Sequence, residues 1–166
     1  MDTSWPKWPE ILGKKLGMKV INLGASGKGN EYILSSLQDA IEKFEDKSQI
    51  GLVIAAWSQC NRRDFQTGGG LDGEGWKGDP TDKQGNIVGW TKRSLRIFRV
   101  LEYMCHYHNI PHTQTQMIPL FGDYLRRVAN VDCVYDLYRG NFYHDYNIIL
   151  NLLMKYDDIL DTSKFI

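Results

Sequence analysis

Lys19-Val-Ile-Asn-Leu-Gly-Ala-Ser-Gly-Lys-Gly-Asn30 is the stretch that decides the fold of this 166-residue chain. Residues 19–23 form a short apolar run typical of a β-strand, and a helical pattern begins at Asn30. The turn between them contains Gly24, Gly27 and Gly29. Such a turn directs backbone N–H groups above the sheet, which suits an anion or an oxyanion. Two interpretations stay open: the glycines only make a tight βα turn, or the turn is one wall of an active site.

The sequence after this turn predicts a helix, a buried strand and a polar segment. Apolar residues at helical spacing predict an amphipathic helix over residues 30–44, with Asn30 as its N-cap. The continuous apolar run 51–57 is typical of a central parallel strand. The polar sequence 58–64 follows directly, and open α/β sheets place their sites just beyond the carboxyl ends of such strands.

The remaining elements complete an α/β pattern. Pro9 can lie in the first turn of a short helix that ends at Gly17. A second amphipathic helix is predicted over residues 91–109, a strand over 112–116, a short helix over 118–128, a short strand over 133–135 and a last helix over 145–160. Alternating strands and helices predict an α/β sandwich with a mostly parallel sheet, in which the strands near residues 19–23, 51–56 and 111–116 run parallel.

A glycine-rich segment at about residues 66–90 interrupts this pattern. Six glycines lie between residues 68 and 78, together with several acidic residues. The segment is typical of a surface loop, and a lid over a pocket is the alternative. In either case Trp76 and Trp90 are its expected anchors.

Composition limits the function classes. The chain has 20 basic and 20 acidic residues, 42% hydrophobic and 12% aromatic residues, which predicts one globular domain over residues 1–166 and argues against a nucleic-acid partner. Three widely spaced cysteines are expected to be reduced. No apolar run has membrane-spanning length and no signal-peptide core is found, so we expect a cytoplasmic or virion-associated protein. No metal or cofactor is expected, because His106 and His108 point to nearly opposite sides of one helix.

The order of these motifs resembles the SGNH (GDSL) hydrolases. The resemblance is carried by Ser4-Trp-Pro, Leu16-Gly17, Val20-Ile-Asn-Leu-Gly24, Ser26-Gly27 and Asn30, and it extends to the strand ending at Trp57-Ser58 and to a late histidine. The form is most similar to versions seen in tailed phages and marine bacteria. The resemblance implies a three-layer, flavodoxin-like sandwich and a serine esterase or deacylase whose substrate is a small ester or an acylated sugar.

The family's functional positions are only partly kept. The resemblance places the oxyanion glycine at Gly27, the family's oxyanion asparagine at Ser58 and the catalytic histidine at His144. Asn141 occupies the position of the aspartate that supports this histidine, and an amide cannot stabilise an imidazolium as a carboxylate does. The nucleophile belongs to a Gly-Asp-Ser strand upstream of the Ser-Trp-Pro motif, and the chain begins after that position, so Ser4 does not replace it.

Two functions follow as expectations. One is an SGNH-type ester hydrolase that is degenerate or N-terminally truncated, and therefore inactive as given. The other is a non-catalytic binding or assembly module on the same fold, for example in a virus particle or a homo-oligomer. In both, we expect Gly27, Ser58, Arg62 and His144 to converge at the carboxyl edge of the sheet. Trp57, Arg62 and Asn30 are the expected substrate-binding residues there.

Overall fold

The computed structural model describes residues 7–67, 75–79 and 82–116. In chain order these residues form helix α1 (Trp8–Leu16), helix α2 (Asn30–Glu42), a 3-10 turn (Lys47–Gln49), strands β1 (Val53–Trp57), β2 (Arg63–Gln66) and β3 (Trp76–Asp79), helix α3 (Ile87–Tyr107) and strand β4 (His112–Gln116). β1 and β4 pair in parallel, while β2 and β3 form an antiparallel pair. The parallel pair and its helices confirm the α/β class and the parallel orientation of two of the three predicted strands.

Helix α1 begins and ends where its sequence predicts. Pro9 lies in the first turn, where its missing N–H costs no hydrogen bond. Gly17 follows the last turn with φ 66°, a left-handed conformation that a residue with a Cβ adopts at a cost. The helix is therefore closed by its own sequence at both ends.

The core lies between one face of the parallel pair and the two long helices. Along β1, Val53, Ala55 and Trp57 are buried while Ile54 and Ala56 are half-buried, as alternation on a strand requires. The buried face packs against apolar residues of α2 and α3, which include Ile41, Leu95, Phe98, Leu101 and Cys105. This packing fixes the carboxyl end of β1 relative to the amino end of α2.

The prediction of a strand over residues 19–23 is wrong. The segment forms no strand ladder with the described residues, and Ile21 is 57% exposed. Just before it, the tip of the Met18 side chain lies 3.0 Å from where a Cβ on Gly51 would be. Residues 19–23 have a β-type sequence, but no described strand lies beside them to accept and donate backbone hydrogen bonds, so they do not form a strand.

The glycine-rich segment also differs from the prediction. Its described parts are only partly a loop: residues 82–86 lie outside helices and strands, whereas Trp76–Asp79 forms β3 and pairs with β2, with Gln66 opposite Trp76 and Arg63 opposite Asp79. Helix α3 begins at Ile87, earlier than predicted, and Asn86 caps it by accepting the Gly89 N–H at 3.0 Å. The segment is thus partly an antiparallel pair that leads into the long helix.

Among residues 7–67, 75–79 and 82–116, no helix combines the length and the apolar character that a membrane crossing needs.

Candidate functional site

Asn30 joins the glycine turn to the carboxyl end of β1. Its side-chain oxygen accepts the Ser58 N–H at 2.8 Å, and its side-chain nitrogen donates to the Ser94 hydroxyl at 3.2 Å. The residue is only 2% exposed, so both groups are used inside the protein. Asn30 therefore ties α2, β1 and α3 together directly beneath the candidate site.

The amino end of α2 is capped by a residue distant in sequence. Gly29, not Asn30, is the N-cap, and it has no side chain to satisfy the first helical N–H groups. The Asp64 carboxylate of β2 does so, with Oδ2 accepting the Gly29 N–H at 2.6 Å and the Tyr32 N–H at 3.3 Å. The prediction of Asn30 as N-cap is wrong, and the helix dipole already faces an internal anion.

Burial raises the pKa of Asp64, and the N–H groups of Tyr32 and Gly29 offset this only in part. A raised pKa means that the folded protein holds this proton more tightly than the unfolded chain does, so stability falls as pH rises. We expect the unfolding free energy of the wild type, relative to Asp64→Asn, to fall as pH rises from the ordinary carboxyl pKa to the raised one, and to be constant above it. Urea unfolding at a series of pH values measures this difference.

Asp82→Asn provides a comparison of opposite sign. Burial alone would raise the pKa of Asp82, but hydrogen bonds from the Gln84 N–H and Arg93, with the charges of Arg63 and Arg93, hold it below its ordinary value. The contribution of Asp82 is present above the ordinary carboxyl pKa and is lost as pH falls through the lowered one. If the stability differences of Asp64→Asn and Asp82→Asn from the wild type changed in the same direction with pH, the two opposite pKa shifts would be contradicted.

Arg93 of α3 organises the polar segment after β1. Its guanidinium pairs with Glu31 and with Asp82, each at 2.9 Å, and donates to the carbonyls of Cys60 at 3.1 Å and Arg62 at 2.8 Å. A planar group with five donors can hold such a set of acceptors at fixed angles. Arg93 therefore links α2, α3 and the segment that follows β1.

The β2–β3 pair packs beside the glycine turn. The Lys28 ammonium donates to the Trp76 carbonyl at 2.7 Å, and the Tyr32 and Trp76 rings meet edge to face with centroids 5.8 Å apart. A Cβ on Gly78 would lie 3.2 Å from the Gly27 carbonyl oxygen. Trp76 is therefore an anchor of this segment, as its sequence predicts, and the contact places β3 against the turn.

The tip of the glycine turn remains open to solvent. Ala25, Ser26 and Gly27 are exposed, and Gly27 has φ 76°, which favours glycine. Within the described part of the chain, the N–H groups of Ser26 and Gly27 donate to no other residue. Two consecutive backbone donors are thus available to a ligand at the position where the resemblance places an oxyanion donor.

Arg62 lies along the inner side of this turn. Cγ and Cδ of Arg62 lie 2.9 and 3.1 Å from where a Cβ on Gly29 would be. One terminal nitrogen donates to the Lys28 carbonyl at 3.4 Å. The structure therefore brings Arg62, Ser58 and Asn30 together around the glycine turn, as three of the predicted site residues.

Trp57 does not line an open pocket, although the sequence predicts it as a substrate-binding residue. Its ring is fully buried, packs on Phe98 with centroids 4.6 Å apart, and donates its N–H to the Gln114 side-chain oxygen at 2.8 Å. Gln114 in turn donates to Glu102 at 3.4 Å, and Arg99 donates to Glu102 at 2.7 Å. Trp57 thus supports the end of β1 from within the core.

Cys60, two residues after Ser58, is not activated as a nucleophile at neutral pH. Burial is the main cause that raises the pKa of the Cys60 thiol to about 11, although the charge of Arg93 opposes the shift. A thiol with such a pKa is almost wholly protonated at pH 7, and the thiolate is the reactive form. His144 and Asn141, the remaining predicted site residues, lie outside the described residues.

Comparisons of the chain with protein-family models, with curated proteins and with solved structures found no match.

Proposed function

We propose that this protein is an SGNH-type ester hydrolase-like module that binds a small acyl compound at its glycine turn without hydrolysing it. The observation that carries the proposal is the hydrogen bond from the Ser58 N–H to Asn30, which fixes the turn against the carboxyl end of β1. In open parallel sheets this edge is where ligands bind. The three-layer, flavodoxin-like arrangement is part of the same proposal; the parallel pair and the two helices on one of its faces account for two of these layers.

The proposed ligand contacts are donors for an oxyanion. The Gly27 N–H has no partner among the described residues, and the half-buried Ser58 follows the end of β1, where its own N–H donates to Asn30. Preorganised donors of this kind stabilise the negative oxygen that develops during acyl transfer. A hydroxyl in place of an asparagine amide is a weaker and less directed donor, which favours binding over catalysis.

Hydrolysis also needs a nucleophile within reach of a base. The histidines of the described part, His106, His108 and His112, lie near the carboxyl end of α3 and the amino end of β4. Because β4 runs parallel to β1, these histidines lie at the amino ends of the two strands, whereas Ser58 lies at the carboxyl end of β1. None of these histidines can serve a hydroxyl at the glycine turn.

One edge of β1 has no partner in the described structure. The Val53 N–H donates to Pro111, so the odd-numbered residues of β1 direct their backbone groups toward β4. The backbone groups of Ile54 and Ala56 therefore point to the other edge, where none of the described strands pairs. In the SGNH family the strand that carries the nucleophile lies inside the sheet. We propose that this strand of the family would pair with the edge of β1 formed by Ile54 and Ala56.

We expect no turnover of short-chain p-nitrophenyl esters above the rate of a His144→Ala variant, and no labelling by a fluorophosphonate probe. Both follow from the proposal, because in the part of the chain that the structure describes no histidine lies beside a hydroxyl at the Gly27 N–H. Spectrophotometric rates and intact-protein mass spectra are the measurements. Stoichiometric labelling at Ser4 or Ser26 would contradict the non-hydrolytic function and favour an active hydrolase.

An assembly module is the second candidate, and an exposed stripe on α3 favours it. Val100, Tyr103 and Tyr107 are 47%, 58% and 82% exposed, and they border an open groove of about 730 Å³ between α2 and α3. Exposed apolar surface of this kind is typical of contacts between proteins. If this surface forms a homo-oligomer, light scattering will show a mass above 19.2 kDa that falls to the monomer in a Tyr103→Ser/Tyr107→Ser variant.

A further inference from the structure

Helix α1 turns its apolar side outward. Positions at the i, i+3, i+4, i+7 and i+8 spacing of one helical face hold Trp8, Ile11, Leu12, Lys15 and Leu16, which we call the α1 face. Three of its four apolar side chains are between 45% and 55% exposed. The opposite side packs inward, because the Val20 side chain lies directly against buried Gly13 and leaves no room there for a Cβ. The helix therefore packs through a glycine and leaves its apolar residues to a partner.

The α2–α3 groove has the features that such a face needs. Its apolar lining includes Val100, Tyr103, Met104 and Tyr107. Glu42 is the one acidic residue among the described residues that line it, and none of them is a lysine or an arginine. Helix α2 ends at Glu42 and α3 at Tyr107, so the groove lies beside two helix carboxyl ends, where the helix dipoles are negative. The groove thus fits an apolar segment that carries positive charge.

The charges on these two surfaces are unpaired within the described residues. Lys14 and Lys15 lie in the last turn of α1, and neither forms an ion pair within 4.0 Å there. Glu42 forms none either, and its side chain accepts from the neutral Gln38 amide at 3.0 Å. No α1 residue lines the groove of its own chain. Two apolar surfaces of opposite charge are therefore both open to a second molecule.

We propose that the α1 face of one copy docks into the α2–α3 groove of a second copy, with Lys14 and Lys15 beside the Glu42 carboxylate of that copy. An amphipathic helix in an apolar groove is a common mode of recognition. Two different surfaces meet, so the contact joins copies head to tail, in a ring or an open chain. The inference rests on the second candidate function, the assembly module, and it does not depend on ligand binding at the glycine turn.

The experiment mixes two variants that each lose one half of the contact. Tyr103→Ser/Tyr107→Ser alters the groove, and Trp8→Ser/Ile11→Ser alters the α1 face. Light scattering at about 200 µM, where a contact of micromolar affinity is mostly formed, should show an assembly for the wild type and a 19.2 kDa monomer for each variant alone. An equal mixture should form a complex of one copy of each, because the intact α1 face of the first variant fits the intact groove of the second.

Phe65→Ser is the matched control. Phe65 is 45% exposed and lies outside both surfaces, so this variant should assemble like the wild type. All the substituted side chains are exposed, and circular dichroism confirms that each variant is folded.

Charge reversal tests the pairing of the two surfaces. Glu42→Lys and Lys14→Glu/Lys15→Glu should each weaken self-association about twofold to fivefold, as expected for exposed ion pairs. Their equal mixture should recover the affinity of the wild type, because alternating copies then bring opposite charges together at every contact. A mixture no tighter than either variant alone would contradict the pairing of α1 with the groove.

A wild type that stays monomeric would overturn both the inference and the assembly module. Assembly that is lost in Tyr103→Ser/Tyr107→Ser but kept in Trp8→Ser/Ile11→Ser would overturn the docking of α1 alone, because the groove would then meet another surface. Monomers in the mixture of these two variants would also overturn it. Loss of assembly in Phe65→Ser would indicate non-specific apolar association and overturn the assignment of the two surfaces.

Discussion

Replacing Arg99 by leucine is expected to lower the free energy of unfolding by about 3 kcal/mol, because it leaves a buried carboxylate without its charge partner. Glu102 is completely buried, and its contacts are Arg99 at 2.7 Å and Gln114 at 3.4 Å. A carboxylate in that position loses its hydration and regains little from one amide. Urea unfolding followed by circular dichroism measures the loss.

The double variant Arg99→Leu/Glu102→Gln is the control for this effect. It removes both charges, while the glutamine can still accept from Gln114, so it should recover most of the stability lost in Arg99→Leu. An equal loss in the single and double variants would show that the packing of the Arg99 side chain, rather than the charge on Glu102, accounts for the effect.

Asn30→Ala is expected to cost about 3 kcal/mol and to loosen the candidate site. The substitution leaves the Ser58 N–H and the Ser94 hydroxyl without their partner, and each buried unsatisfied group costs roughly 1–3 kcal/mol. Against a total stability of about 5–15 kcal/mol for a domain, this is a large fraction. Chemical denaturation gives the energy, and amide chemical shifts of residues 25–29 and 58–60 show whether the site moves.

Ser94→Ala separates the two bonds of Asn30. It removes only the bond from the Asn30 side-chain nitrogen and keeps the bond to Ser58, so a loss near 1 kcal/mol with little change at the turn is expected. A Ser94→Ala variant that shifts the turn as strongly as Asn30→Ala would contradict the assignment of Ser58 as the contact that positions the site.

Local sequence predicted the elements whose own residues determine them. The apolar run that ends at Trp57 predicted β1, and the helical spacing predicted α2 and α3. Pro9 and Gly17 predicted the ends of α1. The candidate site residues Ser58 and Arg62 could also be identified, because polar residues next to a buried strand end indicate where a sheet binds its ligand. Asn30 was identified by its place after the glycine turn and in the resemblance, although its predicted role as N-cap is wrong.

Contacts between distant residues could not be predicted. The cap of α2 comes from Asp64, 35 residues along the chain from Gly29. Glu102 lies on a helix whose apolar spacing gives no sign that a carboxylate is buried there. Gln114 lies in a strand of polar residues, and its sequence does not show that this glutamine is buried. Residues 19–23 have β-type composition, but a strand also needs a neighbour with free backbone groups at pairing distance. These features depend on tertiary packing, which periodicity does not report.

The edge of β1 that pairs with none of the described strands is central to the proposed non-hydrolytic function, because it is where we assign the strand with the nucleophile. Amide hydrogen exchange, resolved by residue, tests it most directly. The proposed function predicts that the amides of Ile54 and Ala56 exchange much faster than those of Val53, Ala55 and Trp57, which face β4. Equal protection along β1 would contradict it, because a further strand would then occupy that edge.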